Sequence, residues 1–438
     1  MVWHSRDFRE SSIDPKLSGP STTTSSVQCI FRVHDRLRSH EKEAYEPQVL
    51  SIGPYHYSKP NLKKMEMHKQ RYLEELLLQR EETNRDGCIS ALTELEDRAR
   101  KCYAEDISEI KKDDFVEMLL LDGCFIIQFL RKLYDPKLRN GDDTIFQMDW
   151  LRNWIEIDLI LFENQIPFFI LEKLFVMTTL PGQAVDLVGL ALPLRNCLRS
   201  DLIPTSSDKN FSANGFFHLL DLVHKSLCSS FAETLTQNND PAVNDFSVQE
   251  LEFIKSTSEL QKSGVHFKAV EASQNQSWLD ITFKDGKIKI PKLKIMDWTE
   301  SVFRNLIAYE EYMLNSQSWR CVSDYTMFLD RLIDSPRDVA GLRHGQIIEN
   351  WLGDDEAVST MFNKLGNDVG INDSKFCYSR VLKDVNKYSV NCWNIWWAHL
   401  MRNYFNTPWS IISFLAALLL LILTIVQTIF SILQYTNQ

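Results

Sequence analysis

A short turn rich in glycine and proline carries the side chains best suited to base catalysis. Ser51 and His56 flank the pair Gly53-Pro54, and tyrosines stand on both sides of the imidazole. An imidazole beside hydroxyl groups is the arrangement that general-base catalysis uses. A turn whose aromatic rings pack on the first helix explains the same residues without chemistry. We therefore keep Ser51 and His56 as candidates and assign neither a catalytic role.

A second set of candidates consists of carboxylates in the middle of the chain. Glu163 with Asp122 or Asp158 could supply the two acids of a glycoside hydrolase, where one donates a proton and the other attacks or activates water. Helix capping or buried hydrogen bonding explains the same acids without catalysis. Glu163 is the third candidate, and no residue is assigned as catalytic.

The sequence predicts no cofactor and no metal site. It holds no glycine-rich phosphate loop, dinucleotide fingerprint, zinc-protease motif or nucleophile elbow. Its nine cysteines form no CxxC pair. His34, His40, His56 and His68 lack the i, i+4 spacing with which a helix holds a metal. The scattered cysteines are typical of buried thiols in a reducing compartment.

Composition indicates a folded protein that does not bind nucleic acid. The chain has 438 residues, 44% of them hydrophobic, which is ample for a large core. The formal net charge of −11 argues against a general affinity for phosphate backbones.

The elements that must position the candidates are mainly helices. Apolar residues recur at helical spacing through most of the chain, and residues 115–133 predict a central buried helix interrupted at residues 122–124. Breakers within residues 29–57 predict an irregular, extended strap. A helix follows from Asn61, and we expect its polar side, which includes Lys69, to be solvated.

Glu163, Asn164 and Gln165 connect two hydrophobic helices, the second of which opens at Pro167. The free N–H groups at the start of a helix need acceptors. We expect the side chains of this connection to provide them, in a tight helical hairpin.

Residues 265–295 hold the one clear β signal. Asp285-Gly286 between alternating runs predicts an antiparallel hairpin. Residues 1–28 predict a disordered tail, and residues 232–245 predict a mobile linker. The expected fold class is mainly α: a multi-helix globular domain over residues 29–392 with a small antiparallel β-hairpin or sheet, plus one C-terminal transmembrane helix.

The C-terminal apolar run begins at Ile411, ends at Leu433 and holds no charge. At about 1.5 Å per residue it is roughly 35 Å long as a helix, enough to cross a hydrocarbon core of about 30 Å. It lies within a predicted spanning helix at residues 409–434, which starts at Trp409 and is followed by a short tail at 435–438.

An aromatic stripe precedes the spanning helix, and its members recur at helical spacing: Trp393, Trp396, Trp397 and Tyr404. Because Trp and Tyr favour the headgroup boundary, residues 393–408 predict a juxtamembrane helix at the bilayer surface. Packing of the stripe on the soluble domain is the alternative.

The topology that follows is a tail anchor with the globular domain in the cytosol. No secretory signal precedes the domain, and basic residues such as Arg402 lie on the N-terminal side of the anchor. The plasma membrane or the endoplasmic reticulum is the expected location. The sequon at Asn275 would carry a glycan only if this topology were wrong.

Several long motifs occur in order: IFRVHDRLRSHEKEAYEPQVLSIGPYHY at residues 30–57, LLLDGCFIIQFL at 119–130 and DLILFENQIPFFILEKL at 158–174. With the C-terminal apolar run, they resemble the plant family called domain of unknown function 247 over residues 29–433. The resemblance implies a C-terminal membrane helix and no assigned activity. Some grass members are implicated in pollen self-incompatibility, which suggests recognition or signalling.

The expected function is a membrane-anchored, non-enzymatic recognition or signalling module. Its expected partners are the lipid bilayer and another protein, and the oligomeric state stays open. The alternative is a membrane-tethered hydrolase of ester or glycoside type that uses the GPYH turn or the Glu163 region.

Overall fold

The computed structural model describes residues 28–78, 84–179, 185–197, 215–237, 255–270, 277–315, 318–367, 375–391 and 408–436. These residues are mainly helical, and the predicted fold class is confirmed. The α-helices are α1 (Asp35–Arg38), α2 (Glu66–Leu78), α3 (Arg85–Arg100), α4 (Lys112–Tyr134), α5 (Thr144–Gln147), α6 (Asp149–Asp158), α7 (Phe168–Thr178), α8 (Leu187–Ala191), α9 (Leu219–Gln237), α10 (Thr257–Lys262), α11 (Thr299–Met313), α12 (Cys321–Leu332), α13 (Pro336–His344), α14 (Asp355–Gly366), α15 (Ser379–Val390) and α16 (Pro408–Thr436). Short 3₁₀ helices cover Lys42–Tyr45, Pro54–His56, Pro60–Met65, Pro136–Leu138 and Leu192–Cys197.

Helix α4 is the central buried helix that its apolar run predicts. It packs against α2, α3 and α7, and most of its side chains are buried. The predicted interruption at residues 122–124 is wrong, because the helix runs through it. Gly123 lies against the side chain of Leu174 on α7, so the glycine permits close helix packing and does not break the helix.

The β structure contains the predicted hairpin in a different setting. Strands β2 (Thr282–Lys284) and β3 (Lys287–Pro291) pair antiparallel around Asp285 and Gly286, which have φ of 52° and 72°. Such positive angles at both positions suit a type I′ turn. Strand β1 (His266–Val270) joins β3 in parallel, so the sheet is mixed. Residues 278–281, which fall within the predicted β region, precede β2 as turn and loop.

A second sheet was not predicted. It consists of β4 (Leu293–Ile295) and β5 (Ile348–Asn350), which pair in parallel. The two strands lie far apart in sequence and are too short to show a strand pattern. Only the packing of the helices between them brings them together.

Two predicted boundaries differ from the structure or lie outside it. Helix α9 continues to Gln237, so the first residues of the predicted linker at 232–245 are helical. Residues 238–245 lie outside the described chain, as do residues 1–27 of the predicted tail.

Helix α16 is long and apolar enough to cross a membrane. The segment Trp409–Gln434 spans 26 residues, none of them buried against the rest of the described chain. Both ends of the predicted run, Ile411 and Leu433, are exposed, and Trp409 has 77% of its surface exposed. The stripe residues Trp393, Trp396, Trp397 and Tyr404 lie outside the described residues.

Candidate functional site

Four polar side chains hold the backbone of the strap, which covers residues 29–57 and is buried along much of its length. Two of them come from the end of α6 and the loop after it. Asp158 accepts the N–H groups of Gln48, Val49 and Leu50 at 2.8 to 2.9 Å. Asn164 accepts the N–H of Ile52 at 2.7 Å.

The other two side chains hold the two ends of the strap. Asp122 on α4 accepts the N–H of Gly53 at 2.8 Å. Glu163 accepts the N–H of Val33 at 2.7 Å. We call Asp122, Asp158, Glu163 and Asn164 the strap clamp. Because buried N–H groups need acceptors, these side chains replace the backbone partners that a neighbouring strand would provide.

The clamp corrects the predicted role of the loop before α7. Glu163 and Asn164 bind the strap, and Gln165 accepts the N–H of Leu220 at 3.3 Å. At the start of α7, the N–H of Phe168 instead binds the carbonyl of Phe217 at 2.7 Å. The expectation that this loop caps α7 is therefore wrong.

Glu163 and His56, two of the candidate residues, lie together in the buried interior. The Nε2 atom of His56 is 3.7 Å from Glu163 Oε2, and its Nδ1 atom is 3.7 Å from Glu46 Oε2. Arg38 forms ion pairs with both carboxylates. Burial lowers the pKa of His56 to about 3, so its imidazole is neutral at physiological pH. Burial also raises the pKa of Glu163, against the opposing effects of the Val33 N–H and Arg38.

Ser51 lies elsewhere in the buried interior. Its carbonyl oxygen accepts a hydrogen bond from Lys69 at 2.7 Å, and Lys69 also lies 2.6 Å from Asp122. Among the described residues, no hydrogen bond joins the Ser51 hydroxyl to His56. The carboxylates considered with Glu163 both bind strap N–H groups. The geometry thus gives the candidates structural partners, and it does not assemble a nucleophile with a base.

The environment predicted for Lys69 is wrong. The residue was expected on a solvated face, yet it is 1% exposed. Within α2, Lys69 lies on the same buried face as Tyr72, Leu73 and Leu76. The i, i+3, i+4, i+7 spacing of these four residues is the signal that was available.

Two adjoining cavities lie beside the strap and form what we call the acidic groove. One has a volume of about 220 Å³, the other about 460 Å³, and both are lined by Asp297 and Glu300. The remaining carboxylates of the lining are Glu41, Glu43, Glu46, Asp158, Asp354 and Glu356. Lys364 is the cation among the lining residues, and it lies 3.8 Å from Glu41. Neither cavity is lined by Ser51, His56 or Glu163.

Nearly the whole strap, the loop between α6 and α7 and the first part of α16 fall within one family match. The family described as a plant protein of unknown function, domain of unknown function 247, matches residues 30–423. The chain belongs to this family. The domain of unknown function 247 match confirms the resemblance that the sequence motifs indicate.

Two relatives from Arabidopsis thaliana resemble the chain over most of their length. The UPF0481 protein At3g47200 is 30% identical over 93% of this chain and 87% of its own. The putative UPF0481 protein At3g02645 is 25% identical over 91% of this chain and 89% of its own. No solved structure matches the chain.

Proposed function

We propose that this domain of unknown function 247 protein is a single-pass membrane protein whose helical domain is a non-enzymatic recognition module in the cytosol. The exposure of α16 carries the proposal. From Ile411 to Leu433 every side chain is exposed, and the run holds no charge. A contiguous apolar surface of this extent is typical of a membrane or protein contact, and the length matches a bilayer.

The cysteines and the basic residues near the anchor support a cytosolic location for the helical domain. None of the eight cysteines of the described chain forms a disulfide, and seven of them are buried. Basic residues precede the anchor, which suits a cytosolic N-terminal domain under the positive-inside rule. Arg380, Lys383 and Lys387 belong to α15, and Arg402 lies closer to the anchor.

The acidic groove is the surface that we assign to recognition. It combines a concave shape, a set of carboxylates and apolar side chains such as Trp154 and Met361. A concave acidic surface favours cationic ligands through its summed field. The partner we infer is a basic segment of another protein.

Membrane insertion and orientation are tested on microsomes. Full-length protein should pellet with the membrane and resist carbonate extraction, and a chain that ends at residue 407 should not. Added protease should digest the domain, and Asn275 should stay unglycosylated. Protease protection with a glycan at Asn275 would overturn the cytosolic orientation.

Recognition is tested by measuring how a fluorescent nine-residue arginine peptide binds to the full-length protein in detergent. The variant Glu43→Lys/Asp297→Lys reverses two exposed carboxylates of the acidic groove. It should weaken binding by about tenfold, in line with the cost of placing like charges together.

The matched control is Glu94→Lys/Asp97→Lys, which makes the same charge change on the exposed side of α3. It should leave peptide affinity within about twofold, the scale expected of distant screened charges. If both variants weaken peptide binding equally, the effect comes from the net charge of the protein and not from the acidic groove. That result would remove the groove from the proposal.

A further inference from the structure

Five buried side chains with metal-binding atoms meet where α9, α11 and α12 pack, away from the strap. His224 and Cys228 lie one turn apart on α9, and Glu310 is on α11. Cys321 is the first residue of α12, and Cys377 lies just before α15. All five are buried.

The distances within this cluster are those of neighbouring ligands. His224 Nε2 is 2.8 Å from Glu310 Oε1 and 3.6 Å from Cys228 Sγ. The ligand atoms of these three residues all lie within 4.8 Å of one another. The Cys321 thiol forms hydrogen bonds with Cys228 and Cys377, so a further sulfur lies beside the Cys228 ligand atom.

Glu310 is held in one orientation by donors from α12. Its carboxylate accepts the N–H groups of Val322 and Ser323 at 2.9 and 2.8 Å, and the Ser323 hydroxyl at 2.6 Å. Contacts of this kind orient metal-binding carboxylates in known sites. They leave Oε1 directed at His224.

The charge of the cluster favours a bound cation. Glu310 is completely buried, and within the described chain its hydrogen-bond and ion-pair partners include no lysine or arginine. Buried charges are normally paired or bound to metals. His224 alone offers little compensation.

We propose that His224, Cys228, Glu310 and Cys321 bind one Zn²⁺ ion. Zn²⁺ takes four nitrogen, sulfur or oxygen ligands in a tetrahedron, with bonds of about 2.0 to 2.3 Å. Edges of such a tetrahedron are about 3.3 to 3.7 Å, so Glu310 Oε1 must move roughly 0.5 Å from His224. The Cys321 sulfur, which is outside the group of three within 4.8 Å of one another, must move toward them. The two cysteines bind as thiolates and release their protons. The hydrogen bond between Cys377 and Cys321 would remain as support for a ligand.

The role that we infer for the bound zinc is structural. It joins α9 to α11 and α12, and the ligands on α9 are more than 80 positions from Glu310 and Cys321 in sequence. Only the pair at positions 224 and 228 is local, in a mixed His/Cys form. The site therefore contains neither a histidine pair at i, i+4 nor a CxxC motif, the two local patterns that indicate a metal site in a sequence.

Metal content and cobalt spectra of the full-length protein in detergent test the proposal. Purified protein should hold about one zinc per chain by mass spectrometry, the content of a single tetrahedral site. After chelation, Co²⁺ should give visible bands of a tetrahedral site and a near-ultraviolet charge-transfer band from thiolate. Protein that takes up neither zinc nor Co²⁺ with these bands would overturn the proposal.

Three variants with a matched control assign the ligands. Cys228→Ser, Cys321→Ser and Glu310→Gln should each lose most of the bound zinc. Cys88→Ser, a buried cysteine on α3, should retain it. Zinc retained by Cys228→Ser would exclude the site. If the serine variants do not fold, a mercurial reagent that blocks thiols should release zinc from the unmodified protein, and failure to release it would likewise exclude the site.

Discussion

Lys69 Nζ lies 2.6 Å from Asp122 Oδ1, and both side chains are buried beneath the strap. The lysine donates to the carbonyl of Ser51, while the aspartate accepts from the N–H of Gly53. One ion pair thus binds the strap from both sides of a single peptide turn. Each charge depends on the other, because an unpaired buried charge is costly.

Lys69→Met should destabilise the protein by about 3 to 5 kcal/mol, because it leaves the buried Asp122 carboxylate without its cation. Urea unfolding of the full-length protein in detergent measures the change. The control is Arg85→Met, which removes an exposed ion pair with Glu117 and should cost less than about 1 kcal/mol. Equal costs for the two variants would contradict the role of Lys69.

Gly53→Ala should lower the free energy of unfolding by about 3 kcal/mol, because the new methyl group adds a steric overlap to the backbone strain. Gly53 has a φ of +69°, and a Cβ at this position would overlap the carbonyl oxygen of Gln165. The control Gly353→Ala has a comparable φ of +87° but open space around the new atom. It should cost about 1 kcal/mol, the strain alone. Thermal unfolding of both variants separates the two effects.

Acid should destabilise the protein partly through His56. The pKa of this imidazole is about 3 in the folded protein, lowered by burial, and near 6.5 when unfolded. Below pH 6.5 the unfolded chain binds the extra proton, so stability falls as the pH decreases toward 3. The charged groups that face the ring are Glu46, Glu163, Arg38, Arg32 and Lys59.

The contribution of His56 is isolated by comparison with His56→Gln. The loss of unfolding free energy between pH 7 and pH 4 should be about 3 kcal/mol smaller in the variant, which is the size that the pKa shift of His56 implies. Urea unfolding at a series of pH values measures it. Parallel pH profiles for the two proteins would show that folding does not shift the pKa of His56.

Arginines in the middle of α16 should prevent membrane insertion. Each arginine at a helix centre costs about 2.5 to 3.5 kcal/mol, and the whole apolar run contributes roughly 5 to 10 kcal/mol. Leu420→Arg/Leu421→Arg should therefore cancel most of the favourable free energy of membrane insertion. Flotation of microsomes measures it, with Leu420→Ala/Leu421→Ala as the control that stays inserted. A floating arginine variant would show that another segment holds the protein on the membrane.

Local signals were sufficient where a structure depends on neighbouring residues. The turn at Asp285-Gly286, the buried α4 and the apolar α16 were all predicted, because each is specified within a few turns or strands. The parallel pairing of β1 with β3 was not, since the choice between parallel and antiparallel neighbours depends on distant packing.

The candidate site shows the same division. The extended strap and the loop at residues 163–165 were predicted as separate features, but the contacts between them were not. Asp158 is 110 positions from Gln48, and no spacing rule links an acid to an N–H group so far away. Tertiary packing decides such contacts.

The strap clamp has a consequence for how the domain could be taken apart. Side chains of α4, α6 and the α6–α7 loop hold residues 29–57 by binding their N–H groups, as a receptor binds an extended peptide. The domain therefore contains its own bound peptide. A chain that begins after residue 57 should accept the missing segment from solution, as a separate molecule.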